Sequence, residues 1–169
     1  LLVLDTLPQP TVALIQGPAY AGGVGLICAC DIAIAARSAR FSLTEVRLGL
    51  IPAVISPLVI STIGESYARR YFLTGERMSS TDAERIGLVH EVVPDEALTV
   101  RGETFVKLLL QGGPTAQAEA KALIKVVRGR ALDGEMLVDL AKRIARIRVS
   151  DEAQEGMSAF LEKRKPRWL

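Results

Sequence analysis

The stretch Gly17-Pro18-Ala19-Tyr20-Ala21-Gly22-Gly23-Val24-Gly25-Leu26 limits what this chain can fold into more than any other. It follows the apolar run Thr11-Val12-Ala13-Leu14-Ile15 and leads into Leu26-Ile27-Cys28-Ala29-Cys30. A β-rich run, then glycines, then an unbroken apolar run predict a strand, a tight turn and a buried helix. Gly22, Gly23 and Gly25 leave the backbone bare where that helix starts. The first N–H groups of a helix have no partner within it, and the aligned peptide dipoles place partial positive charge there. Such an end can hold an anion, or an oxygen that gains negative charge during a reaction. Close packing of helix on strand is the other use of glycines in this pattern.

The rest of the chain is read around this unit. Residues 1–7 read as the last turns of a helix, stopped by Pro8 and Pro10. The strand at residues 11–16 is apolar on both faces, as in a parallel sheet covered on both sides. The helix from Gly22 to about Cys30 is apolar nearly all round and is expected to be central. Residues 31–36 are expected as the next strand, 39–42 as a short extended piece, 44–47 as a loop carrying Glu45, and 48–52 as a turn. From Val54 the pattern turns helical, with helices at 54–63 and 65–73 divided at Gly64. Thr81 with Glu84 predicts a capping box for a short helix that Gly87 closes. Residues 88–93 alternate like a strand and stop at Pro94. Helices follow at 95–110, 114–127 with Pro114 in the first position, 133–149 and 150–163. In the third of these, Met136, Leu137, Leu140, Ile144 and Ile147 form one apolar stripe, suited to core or interface. Strands first and helices after predict an α/β layer, residues 1–93, with a helical extension, residues 94–169.

Composition removes several classes of function. Lys plus Arg number 21 against 19 for Asp plus Glu, so the formal charge of +2 supplies no broad basic face for nucleic acid. There is also no aromatic stacking platform. Cys28 and Cys30 stand two apart, point to different helix faces and match no zinc spacing, so no metal is expected. A reducing, cytoplasmic setting follows. No apolar run reaches the ~18 residues of a membrane helix. The chain opens on Leu1-Leu2-Val3-Leu4 rather than Met and has few strands for a stable sheet. The expectation is that sequence precedes it.

The order of motifs resembles the enoyl-CoA hydratase/isomerase (crotonase) family. The resemblance is carried by Gln9-Pro10-Thr11-Val12-Ala13-Leu14-Ile15-Gln16-Gly17, Ala21-Gly22-Gly23 and Cys30-Asp31-Ile32-Ala33-Ile34-Ala35. It continues through residues 39–52, Leu73-Thr74-Gly75-Glu76-Arg77, residues 83–89 and residues 155–164. It implies a crotonase-like ββα spiral, truncated at its N-terminus, followed by helices that build trimers or dimers of trimers. It also implies an acyl-CoA substrate, with CoA as part of that substrate and no separate cofactor. The missing part would hold several turns of the spiral and one of two oxyanion donors.

By the same resemblance, Gly22 supplies a backbone N–H to the thioester oxygen of an enoyl-CoA, and Glu45 is the catalytic glutamate. Leu43, Val46 and Leu48 would give Glu45 apolar surroundings; the other reading of Glu45 is a loop carboxylate paired with Arg47. Ala21, Gly23, Gly25, Pro52 and Ala53 would line the substrate site, and Lys163 would reach the CoA phosphates. Many hydratases carry a second glutamate where Gly25 stands here. Gly25 is therefore expected to leave room for water or for a polar acyl branch. The run from Thr44 to Pro57 is most similar to bacterial methylglutaconyl-CoA hydratase-type members, with Ala53-Val54-Ile55 where many relatives have glycines. The expected activity is addition of water to a 2-enoyl-CoA, such as 3-methylglutaconyl-CoA. The alternatives are an enoyl-CoA isomerase using Glu45 alone and a non-catalytic acyl-CoA or RNA binder. His90, the only histidine, is expected to be structural.

Overall fold

In the computed structural model, which describes residues 1–169, a short helix α1 (Leu2–Thr6) stops before Pro8 and Pro10. Strand β1 (Val12–Ile15) follows, then β2 (Pro18–Tyr20), helix α2 (Gly22–Cys28), β3 (Ile32–Ala36), β4 (Arg40–Ser42) and a 3₁₀ turn, Glu45–Leu48. Then come α3 (Ser56–Thr74), β5 (Met78–Ser79), α4 (Ser80–Arg85), β6 (Glu91–Val93) and a second 3₁₀ turn, Asp95–Ala97. Four helices finish the chain: α5 (Leu98–Leu109), α6 (Pro114–Val127), α7 (Gly134–Arg148) and α8 (Asp151–Leu161). The chain forms two compact units, Leu1–Leu7 with Thr11–Val106, and Pro8–Pro10 with Lys107–Leu169.

The first unit holds two three-stranded sheets. In one, β3 lies between β1 and β6 and is parallel to both, with Val12 opposite Ile32 and Ile34 opposite Glu91. In the other, β4 is parallel to β2 and antiparallel to β5. The two-residue period of β3 divides the core. Ala33 and Ala35 face the larger cluster with Phe41, Leu43 and Tyr71, while Ile34 and Ala36 face a smaller one with Val93 and Leu98. Both faces of this central strand are thus covered, as parallel pairing requires. Full burial of side chains such as Phe41 and Leu43 contributes about 1.5–3 kcal/mol each. His90 is structural: its backbone N–H donates to Ala33 O at 2.8 Å and its Nδ1 accepts the Ala33 N–H at 3.0 Å, prolonging the β3–β6 seam.

The sequence reading differs from the fold in several places. Strands β2 and β5 were not expected; three and two residues are too short to show a period. Strand β6 covers only the end of the expected 88–93, because Leu88 and Val89 are buried in the turn before it. Helix α2 is not apolar to its surroundings all round, since Leu26 is half exposed while Val24, Gly25 and Ile27 are buried. The expected break at Gly64 exists inside α3, where its φ of 76° and ψ of 162° interrupt the helical path. The capping box is Ser79 with Asp82, not Thr81 with Glu84. Asp82 N–H donates to Ser79 Oγ and Ser79 N–H to Asp82 Oδ2, each at 3.1 Å. Glu84 instead accepts the Val92 N–H at 3.1 Å.

In the second unit, α6 and α7 each pack on α8. Asp133 and Ser150 cap α7 and α8 through the Met136 and Ala153 amides. Glu152 reaches across to the first turn of α6 and accepts the Thr115 and Ala116 N–H groups at 2.9 and 2.7 Å. Burial raises the Glu152 carboxyl, yet these donors outweigh it and leave the group below the usual carboxylate range. Of the predicted α7 stripe only Met136 is buried; Leu137 and Ile144 are more than half exposed. Leu140, Ile144 and Ile147 line an apolar groove of about 450 Å³ with Leu123 of α6. No helix is long and apolar enough to cross a membrane.

Candidate active site

The site grows from one pair of strands. Strands β2 and β4 run parallel, with Tyr20 opposite Ser42, so both leave the sheet at the same end. From β2 the chain enters α2, and from β4 it passes through Leu43 and Thr44 to the 3₁₀ turn that opens on Glu45. Ser42 fastens this edge. Its carbonyl accepts the Ala21 N–H at 2.9 Å, and its buried hydroxyl donates to Gly75 O at 2.9 Å. The sequence reading had assigned no task to Ser42; a lone serine inside a short extended piece carries no pattern that marks it.

Ala21 turns the chain from strand to helix with φ of 48° and ψ of −116°, a backbone that L residues rarely adopt. Its carbonyl accepts the Val24 and Gly25 N–H groups at 3.0 and 3.3 Å, which leaves the Gly22 and Gly23 amides without an acceptor at the open helix start. No side chain caps them. Gly22 is exposed, and nothing stands within 4 Å of where its Cβ would be. Two backbone donors, partial positive charge and free approach therefore coincide.

Glu45 is partly buried, and its Oε2 is buried without a hydrogen-bond donor. Leaving a buried carboxylate oxygen unsatisfied costs on the order of 1–3 kcal/mol. The pairing with Arg47 does not form. The Arg47 side chain instead lies along Gly75, with Nε 3.0 Å from where a Cβ would be. The expected apolar enclosure is partial: Leu43 is buried, but Val46 and Leu48 are exposed. They begin an exposed apolar run that continues through Leu50, Ile51 and Val54. Pro52 and Ala53 form the turn into α3, with Ser56 N–H on Pro52 O at 2.9 Å.

The open room expected at Gly25 is absent. Gly25 is buried, and a Cβ there would overlap Cγ2 of Ile55 and stand 2.9 Å from its Cβ. Helix α3 packs on α2, and Ile55 at its start fills the place. All of these residues lie in the first unit: Ala21, Gly22 and Gly23 where the chain leaves β2, Glu45 just beyond β4, Pro52 and Ala53 in the turn before α3, and Gly25 packed against Ile55. Lys163 lies in the second unit, exposed, just after α8 and with φ of 54°. No three His, Cys, Asp or Glu side chains gather to hold a metal ion. Neither Cys28 nor Cys30 is in a disulfide, and burial pushes the Cys28 thiol up to about 11, which keeps it protonated and unreactive near neutrality.

Comparison with known proteins agrees with this architecture. An enoyl-CoA hydratase structure from Shewanella pealeana superimposes with a TM-score of 0.94 and 46% sequence identity, over 98% of this chain and 62% of that one. Pseudomonas aeruginosa AtuE superimposes with a TM-score of 0.92 at 42% identity, over 98% of this chain and 64% of that one. An enoyl-CoA hydratase of Alternaria alternata is 37% identical over 98% of this chain and 56% of its own length. A Delta(3,5)-Delta(2,4)-dienoyl-CoA isomerase of Dictyostelium discoideum is 34% identical over 96% of this chain and 56% of its own. The chain spans less than two thirds of the length of these curated relatives. The profile of the enoyl-CoA hydratase/isomerase family matches residues 1–169, the whole chain. This chain belongs to the enoyl-CoA hydratase/isomerase family.

Proposed function

We propose that the protein adds water to a 2-enoyl-CoA thioester, with Glu45 as its acid–base group and the start of α2 as an oxyanion site. The observation that carries this reading is the buried Glu45 Oε2 with no donor, on the segment that follows β4, while the free Gly22 and Gly23 amides follow its parallel partner β2. In the reaction, a water oxygen bonds to the β-carbon while one of its protons passes to Glu45. The electron pair of the double bond moves toward the thioester oxygen, which becomes an enolate. A proton returned to the α-carbon completes the hydration. The Gly22 N–H faces the oxygen only where negative charge develops, and one such donor is worth about 3–4 kcal/mol of barrier. CoA is part of the substrate, and Lys163 is the proposed contact for its phosphates. The exposed apolar run from Val46 to Val54 suits an acyl chain. A branched, carboxylated group such as 3-methylglutaconyl rests on the similarity of residues 44–57 and receives no room from Gly25.

A second reading has one specific observation in its favour. With Ile55 closing the flank of Gly25, α2 brings no second carboxylate toward Glu45, and one carboxylate suffices to carry a proton between two carbons of an enoyl thioester. Incubation of the full-length protein with crotonyl-CoA, 3-methylglutaconyl-CoA and a 3-enoyl-CoA, with products resolved by mass, decides between them. Hydration gives a product heavier by one water. A shifted double bond at unchanged mass means isomerisation. Tight binding of CoA esters without turnover of any of them contradicts both.

A further inference from the structure

We infer that Ile55 is the size partner of Gly25 and keeps the α2 side of the candidate site from carrying a second carboxylate beside that of Glu45. The chemical half of this inference rests on the function proposed for Glu45; the steric half rests on geometry alone. Gly25 lies in the opening turns of α2, and its bare flank is occupied by Ile55, which is 5% exposed. The overlap of a Cβ at position 25 with Ile55 Cγ2 could be relieved by rotating the isoleucine. The 2.9 Å approach to Ile55 Cβ could not, because both atoms are fixed to their backbones. Real Cβ atoms essentially never come that close, so any side chain at position 25 requires α2 and α3 to separate.

What Ile55 fills also matters for chemistry. Helix α3 packs on α2 and also on the 3₁₀ turn that begins with Glu45. Position 25 therefore looks toward the start of α3, the same element that flanks Glu45. A side chain with a carboxylate at 25 would project from α2 toward the start of α3, the element that also packs on the turn carrying Glu45. An isoleucine there neither takes nor gives a proton. Leu1 Cδ1, at 3.7 Å from the same point, adds to the hydrocarbon wall. The pairing of a missing side chain at 25 with a large one at 55 thus gives α2 no proton-carrying side chain to set beside Glu45.

The test is a set of variants in the full-length protein, read in two ways. In thermal unfolding, Gly25→Ala should lower Tm by about 4–10 °C through overpacking. Gly25→Ala combined with Ile55→Gly should unfold several degrees above the value obtained by adding the two single shifts; additive shifts overturn the steric pairing. In turnover of crotonyl-CoA, Glu45→Gln alone should be nearly inactive. The triple variant Gly25→Glu/Ile55→Gly/Glu45→Gln should recover at least about tenfold of that loss, because a second carboxylate then reaches the site. A triple variant that folds and is no faster than Glu45→Gln overturns the chemical half. A wild type inactive on every enoyl-CoA would defeat the proposed function instead, and the Tm comparison would still decide the pairing.

Discussion

At Ala21 the backbone takes a φ of 48°, where a β-carbon crowds its own carbonyl. Three hydrogen bonds hold it there, the Ala21 N–H on Ser42 O and the Val24 and Gly25 N–H groups on Ala21 O. The arrangement leaves the next two amides without an acceptor, so the strain sits at the point where the proposed chemistry needs fixed donors. Glycine adopts this backbone without penalty. Ala21→Gly is therefore expected to stabilise the protein by about 1 kcal/mol, seen as a higher urea midpoint. A lower midpoint would mean that the residue is unstrained. Glu45 shows the complementary situation: its position was legible from the sequence, but its state was not. The exposed loop pairing with Arg47 was equally compatible with the local residues, and only the path of Arg47 over Gly75 removes it.

Among the elements, α3 is the one whose geometry depends most on a single residue. At Gly64 the combination of positive φ with extended ψ is essentially reserved to glycine, and nothing stands within 4 Å of its missing Cβ. Gly64→Ala should therefore cost about 1–3 kcal/mol for backbone reasons alone, measurable as a shifted denaturation midpoint with no loss of buried contacts. Helix α4 gives a paired prediction. Ser79→Ala removes a hydroxyl that accepts the Asp82 N–H and should cost about 1 kcal/mol. Thr81→Ala should change stability by less than about 0.5 kcal/mol, because Thr81 is not the cap. Both Ser79 and Thr81 are followed three residues later by a carboxylate, but only Thr81 with Glu84 has the usual Ser/Thr-x-x-Glu form, which is why the sequence pointed there. The choice fell to long-range structure: Glu84 is engaged by the Val92 amide of β6. The longer elements were legible because their apolar period persists and their ends carry Pro114, Asp133 or Ser150. The short strands β2 and β5 were not, being fixed by pairing with β4 rather than by their own residues. The same limit applied at Gly25, whose neighbour Ile55 is distant in sequence and arrives only through the packing of α3 on α2.

For the whole molecule, the second unit leaves large apolar side chains in water. Ile124, Ile144, Phe160 and Leu161 are each well over half exposed. Surfaces of this kind usually meet a partner. We propose a homotrimer or a dimer of trimers formed through these helices, and light scattering of the full-length protein at micromolar concentration should give that mass; a stable monomer would contradict it. The central claim is narrower: we propose that the Glu45 carboxylate, with its Oε2 buried and without a donor, performs the proton transfer on an enoyl-CoA. The most direct measurement compares the full-length wild type with Glu45→Gln, using turnover of a 2-enoyl-CoA and the affinity for an unreactive CoA ester. The account predicts that turnover falls by about two orders of magnitude or more while affinity barely changes. Unchanged turnover, with the substitution confirmed and the protein folded, would contradict it.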